Sequence, residues 1–139
     1  MNALEYFKQG YSCSESIVKE AIDLGWCSED LLASATAFSG GMSSGCACGT
    51  VTGSQLVIGS LFGKENKFGN EVIAKAIAKE FVDRFKKQHG VTCCRVLTKG
   101  FEMHSPERKE HCKNFVMFSS ELLKEIVKSK LESKNVQNI

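Results

Sequence analysis

Apolar residues recur every three to four positions along most of the chain, which is the period of an α-helix. The clearest example runs from residue 70 to residue 89, where six apolar residues share one helical face. They are Val72, Ile73, Ala76, Ile77, Phe81 and Phe85. No segment alternates convincingly at the period of two that marks a β-strand. The pattern therefore predicts an all-α fold, a compact single-domain bundle of about five to six helices.

Start and stop signals place the predicted helices. Ser12 followed by Glu15 forms a capping box, and Gly25 suits the position just past a helix end. Ser105 and Pro106 together mark the start of the last helix. The predicted segments cover about residues 2–9, 12–24, 28–38, 49–62, 70–89, 92–97 and 105–131, and the first and sixth of these are short. No repeat or linker interrupts residues 1–139, and a polar tail is expected from about residue 132.

The segment 49–62 is apolar almost all round, which predicts a central position in the bundle. Gly53 and Gly59 inside it each cost roughly 1 kcal/mol relative to alanine. We therefore expect another backbone, or a site, to pack closely against this helix. The same apolar segment leaves open a homodimer interface, together with the apolar residues Phe115, Met117 and Phe118 of the last helix.

Composition and charge exclude several classes of function. The formal net charge of +2 is too small for the concentrated basic surface of a nucleic-acid-binding protein. No apolar run approaches the ~18 residues that span a bilayer. The N-terminus carries an acidic residue early and lacks the apolar core of a signal peptide. We therefore expect a cytoplasmic protein with neither nucleic acid nor membrane as a partner.

The seven cysteines are the most informative residues. A chain of 139 residues buries enough surface to need no disulfides, and cytosolic thiols are normally reduced. Clustered cysteines in such a chain indicate metal binding or thiol chemistry. They are Cys13, Cys27, Cys46, Cys48, Cys93, Cys94 and Cys112.

Several of these cysteines fall at predicted helix N-termini. Cys13 follows the Ser12 cap, and Cys48 directly precedes the 49–62 helix. Cys93 and Cys94 follow Thr92, the predicted cap of the next helix. Free N–H groups and the helix dipole favour a thiolate at such positions, and the thiolate is the form that attacks and that ligates metal.

Cys112 lies instead on the apolar face of the last helix and is expected to point inward. Four helices could thus present one sulfur each to a common centre. The glycine-rich loop at residues 39–49 would let backbone approach that centre and donate N–H groups to it.

Other interpretations of the cysteines stay open. Cys27 is best explained as a small core residue. The C-x-C pair Cys46/Cys48 and the vicinal pair Cys93/Cys94 could cycle between dithiol and disulfide as catalytic redox pairs. Neither spacing matches paired zinc-ribbon C-x₂-C motifs, although a structural Cys₄ zinc or helical interaction domain remains an alternative. No C-x-x-C-H occurs, which excludes covalent c-type haem.

Four segments carry a recognisable cysteine pattern: Gly10-Tyr11-Ser12-Cys13, Cys48-Gly49-Thr50-Val51-Thr52-Gly53, Cys94-Arg95-Val96-Leu97, and Cys112. This pattern resembles that of the C_GCAxxG_C_C family, small redox-active proteins named for it, over nearly the whole chain. Thr50 replaces the usual alanine, and Cys27, Cys46 and Cys93 are additional to the pattern. The alternative register Gly45-Cys46-Ala47 would put Thr50 where the final glycine belongs, so Cys48 is preferred.

The resemblance implies a redox function. The family's domain is similar to part of the split-Soret cytochromes, which combine a cysteine-ligated iron–sulfur centre with haem. Only the cluster could carry over to a chain without a haem motif. The favoured hypothesis is therefore an iron–sulfur cluster for electron transfer or redox sensing, with an unidentified redox partner protein. Its four ligands would be Cys13, Cys48, Cys94 and Cys112. No carboxylate pair or Ser/His constellation nominates a catalysed reaction.

Overall fold

The computed structural model describes the backbone of residues 1–137 and the side chains of residues 1–133. This part of the chain forms seven α-helices and no β-strand, which confirms the all-α prediction. A 3₁₀ turn, Thr36–Phe38, follows the third helix. The helices are α1 (Ala3–Lys8), α2 (Cys13–Asp23), α3 (Leu31–Ala35), α4 (Gly49–Phe62), α5 (Val72–His89), α6 (Cys94–Leu97) and α7 (Pro106–Gln137).

Helix α4 lies at the centre and packs against α2, α5 and α7. Its contact with α2 is a backbone contact, because a Cβ at Gly53 would lie 2.9 Å from the Ser14 carbonyl oxygen. This confirms the expected close packing at Gly53. Gly59 has no atom within 4 Å of the corresponding position, so the same expectation was wrong there. Only one of the two helical glycines serves a close approach.

Polar side chains join α2 to its neighbours inside the bundle. The hydroxyl of Ser14, which is fully buried, donates to the Ala35 carbonyl at 2.7 Å. The buried carboxylate of Glu20 accepts from Ser120 and pairs with the Lys124 ammonium at 3.2 Å, both on α7. Buried polar groups need such partners, so these bonds fix how α2 sits against α3 and α7.

Helix α5 buries only part of the face predicted for it. Ile77, Phe81 and Phe85 lie in the core, whereas Val72 and Ile73 are 67% and 59% exposed. The apolar periodicity is therefore helical along its whole length, but the first turn makes little contact with the core. Periodicity predicts which residues share a face of the helix. It does not predict where along the helix that face stops being covered by the rest of the core.

Most predicted boundaries agree with the structure to within about two residues. The capping box at Ser12 forms, with the Ser12 amide 2.9 Å from the Glu15 carboxylate. Helix α3 starts at Leu31, later than predicted, because residues 28–30 form a turn that is closed by a bond from the Leu31 amide to the Ser28 carbonyl. Cys93, not Thr92, is the N-cap of α6. The polar C-terminal segment continues as helix to residue 137.

None of the helices in residues 1–137 is both long and apolar enough to cross a membrane.

The α2–α4 contact can be tested by adding one methyl group. We expect Gly53→Ala to lower the free energy of unfolding by about 1–3 kcal/mol, because the new Cβ would press on the α2 backbone. Gly59→Ala is the matched control: it lies in the same helix with open space around it, and the higher helix propensity of alanine should leave stability equal or higher. Urea unfolding of both variants measures this, and equal effects would contradict a close contact at Gly53.

Candidate functional site

A short backbone ribbon joins the N-termini of α4 and α6. Ala47 and Cys93 form an isolated antiparallel bridge, and the Cys48 amide donates to the Thr92 carbonyl at 2.7 Å. Cys48 is the N-cap of α4 and Cys94 is the first residue of α6, so the ribbon places these two cysteines side by side. Both are buried, at 6% and 7% exposure.

The four cysteines predicted as ligands lie in one region, where their charges would act on each other. The pKa of Cys13 is raised to about 12, mainly by burial and to a smaller extent by the neighbouring Cys48 and Cys112. The pKa of Cys112 is raised to about 11, again mainly by burial, with smaller contributions from Cys48 and Cys94. Each of the four sulfurs therefore has at least one other within electrostatic range, although they come from four different helices.

The three additional cysteines have different surroundings. Cys27 is half-buried against the core, and burial raises the pKa of its thiol. Cys46 is exposed, and Cys93 is half-buried and directs its thiol to the Gly45 carbonyl at 3.3 Å. The position of Cys27 agrees with its prediction as a packing residue, and all seven cysteines are free thiols.

Backbone N–H groups reach two of the sulfurs, as expected at helix N-termini. Burial raises the pKa of both thiols, and the neighbouring backbone amides act in the opposite direction with a smaller effect. These amides are those of Ser14 and Gly40 at Cys13, and those of Thr50 and Val51 at Cys48. The amides at these helix N-termini therefore favour the thiolate as expected, but at Cys13 and Cys48 removal from water outweighs them.

Two side chains that the sequence did not nominate also contact the sulfurs. The Thr50 hydroxyl lies 3.2 Å from the Cys48 sulfur and accepts a bond of 2.9 Å from Ser119. Because Ser119 is the donor in that bond, the Thr50 hydrogen is free to point at the sulfur. Arg108 donates from Nη2 to the Cys94 sulfur at 3.4 Å. Its spacing of four residues from Cys112 on one helix is the only sequence signal that could have identified it.

Glycines leave room for the sulfurs at two points. A Cβ at Gly49 would overlap the Cys13 sulfur, and a Cβ at Gly41 would lie 2.7 Å from the Cys94 Cβ. Gly41 also has a φ of +65°, which side-chain-bearing residues rarely adopt. The glycine loop, defined here as residues 39–47, thus packs its backbone directly against Cys94. The cysteine region is the name used below for the part of the protein that contains Cys13, Cys48, Cys94 and Cys112.

In the part of the chain that the structure describes, no group of three or more His, Cys, Asp or Glu side chains is arranged to hold a metal ion.

Comparison with known proteins gives one match. A family model described as "Putative redox-active protein (C_GCAxxG_C_C)" matches residues 11–126, a range that contains all seven cysteines. Neither a search of curated proteins nor a search of solved structures gave a match.

Thiol accessibility provides the first test of this site. In the metal-free folded protein we expect iodoacetamide to alkylate Cys46 first, because it is the exposed cysteine, and to alkylate Cys48 and Cys94 slowest, because both are buried. Peptide mass spectrometry over time gives the order. The protein in urea is the control, in which all seven should react at similar rates. Fast labelling of Cys48 in the folded protein would contradict the described burial.

Stability at alkaline pH tests the raised pKa values. Cys13 and Cys112 stay protonated in the folded state up to about pH 11–12, whereas unfolding returns them to about 9. The folded state therefore binds more protons above pH 9, and the free energy of unfolding should fall as pH rises through that range. Urea unfolding at pH 7, 8.5 and 10 measures the slope. The Cys13→Ser/Cys112→Ser variant should show a shallower fall, and an unchanged slope would refute the assignment.

Proposed function

Because the chain belongs to the C_GCAxxG_C_C family of redox-active proteins, we propose that it carries electrons by means of an iron–sulfur cluster. The ligands in this proposal are Cys13, Cys48, Cys94 and Cys112. The role is electron transfer with a redox partner protein, or redox sensing. The observation that carries the proposal is the meeting of these four thiols from α2, α4, α6 and α7 in one largely buried region.

The donor set suits such a cluster. Four cysteine thiolates are the commonest ligands of [2Fe–2S] and [4Fe–4S] centres, and hydrogen bonds to the sulfurs together with solvent exclusion set the potential. The chain offers both features here: four backbone amides and the Thr50 hydroxyl point at Cys13 and Cys48, and burial excludes water. When bound, the cluster would supply one-electron transfer.

The chain's own part is to hold and release protons at the sulfurs. In the metal-free protein the Cys13 and Cys112 thiols keep their protons at neutral pH, since the pKa of each lies well above 7. Ligation requires the thiolate, so each thiol gives up its proton when it binds metal. The amides of Ser14 and Gly40 then hold the Cys13 sulfur in place and compensate its negative charge.

A zinc ion and a cluster place different demands on the four sulfurs. Zinc needs all four about 2.3 Å from a single point. In a four-iron cluster each cysteine ligates its own iron, so the sulfurs surround a volume instead of a point. Metal and sulfide analysis separates the two alternatives.

Thiol–disulfide exchange at Cys46/Cys48 or Cys93/Cys94 is the second candidate function. The exposure of Cys46 favours it, because exchange requires access of one thiol to its partner. The second member of each pair is buried, which disfavours it.

Metal content and colour distinguish these proposals. We expect anaerobically purified or reconstituted protein to be brown, to contain iron and acid-labile sulfide but no stoichiometric zinc, and to bleach with dithionite. Cys48→Ser and Cys94→Ser should each lose most of the iron, because each removes a buried ligand.

Cys27→Ser, outside the four, is the matched control and should keep its iron. A colourless protein that takes up neither iron nor sulfide would refute the cluster. Zinc at one per chain would support the structural alternative. A redox titration of the thiols that differs between the wild-type protein and the Cys46→Ser variant would support thiol–disulfide exchange.

A further inference from the structure

Arg108 occupies an unusual place for an arginine. It lies in the first turn of α7, where its amide donates to the Ser105 hydroxyl at 3.1 Å. The positive end of the helix dipole disfavours a cation there. Helix stability therefore gives no reason for an arginine at this position, and its side chain must be explained by what it contacts.

The guanidinium contacts the cysteine region. Its Nη2 donates to the Cys94 sulfur at 3.4 Å, and Cys112 lies one turn further along the same helix face. Burial raises the pKa of Cys112, and the positive charge of Arg108 opposes that rise. By contrast, Arg84 on α5 contacts carboxylates, Glu80 at 3.5 Å and Glu125 at 3.0 Å. Arg108 thus places its charge next to two sulfurs.

We propose that Arg108 is a positioning residue of the cysteine site, which holds the Cys94 sulfur and stabilises negative charge at Cys94 and Cys112. The contact with Cys94 and the charge of the guanidinium are present in the metal-free protein. The consequence for electron transfer rests on the proposed function. Adding one electron increases the negative charge at the site without breaking a bond in the chain. A fixed cation beside the sulfurs favours that state, so Arg108 raises the reduction potential.

The charge can be tested in the metal-free protein with two alkylating reagents of similar size. Iodoacetate is anionic and iodoacetamide is neutral. The rate with iodoacetate divided by the rate with iodoacetamide at the same cysteine cancels accessibility and thiol reactivity, and therefore reports the local charge. Arg108→Gln should lower this ratio at Cys94 and Cys112 by about threefold or more, and Arg108→Lys should restore most of it.

The Arg84→Gln variant removes the same charge from a remote surface and should leave both ratios unchanged. The Cys46 ratio serves as an internal control in every sample. If Arg108→Gln keeps the wild-type ratios, or if Arg84→Gln lowers them equally, the proposal is overturned.

A second measurement uses protein reconstituted with iron and sulfide. Arg108→Gln should shift the one-electron reduction equilibrium by on the order of tenfold towards the oxidised form, which corresponds to about 59 mV. Arg108→Lys should shift it less, and Arg84→Gln should not shift it. An unchanged potential in Arg108→Gln would overturn the electron-transfer consequence. If wild-type protein binds no iron, the proposed function fails. The alkylation ratios still decide whether Arg108 supplies positive charge at Cys94 and Cys112.

Discussion

The close approach of α2 and α4 is the contact on which the cysteine region depends. At Gly53 the α4 backbone leaves no room for a Cβ beside Ser14, and at Gly49 a Cβ would overlap the Cys13 sulfur. The first turns of the two helices are therefore packed backbone to backbone. Because Cys13 begins α2 and Cys48 caps α4, this contact brings the two sulfurs together. The antiparallel bridge between Ala47 and Cys93 then places Cys94 beside Cys48.

Sequence patterns predicted the parts of this structure that are governed locally. Helical periodicity gave the segments, and the Ser12 capping box and the N-cap position of Cys48 agree with the structure, because caps involve residues only a few positions apart. The exposed first turn of α5 could not be predicted in this way. Whether Val72 is covered depends on where a neighbouring helix ends.

The cysteine site was predicted from three observations: the placement of Cys13, Cys48 and Cys94 at helix N-termini, the inward face of Cys112, and the family resemblance. Cys13 and Cys112 lie near opposite ends of the chain, and only tertiary packing can bring them together. The net pKa of these thiols also depends on tertiary packing. A helix N-terminus can be recognised in the sequence, but the burial that raises the pKa of Cys13 and Cys48 comes from the surrounding helices.

The four sulfurs receive two different kinds of stabilisation. At Cys13 and Cys48 neighbouring backbone amides lower the pKa, and these amides are fixed dipoles supplied by the fold itself. Cys94 instead receives the Arg108 guanidinium, a full charge supplied by a replaceable side chain. A substitution can remove the second kind without disturbing the helices, whereas the first persists as long as α2 and α4 stay packed. Under the proposed function, substitutions on the α6–α7 side would therefore adjust the reduction potential, while the α2–α4 side would keep the geometry constant.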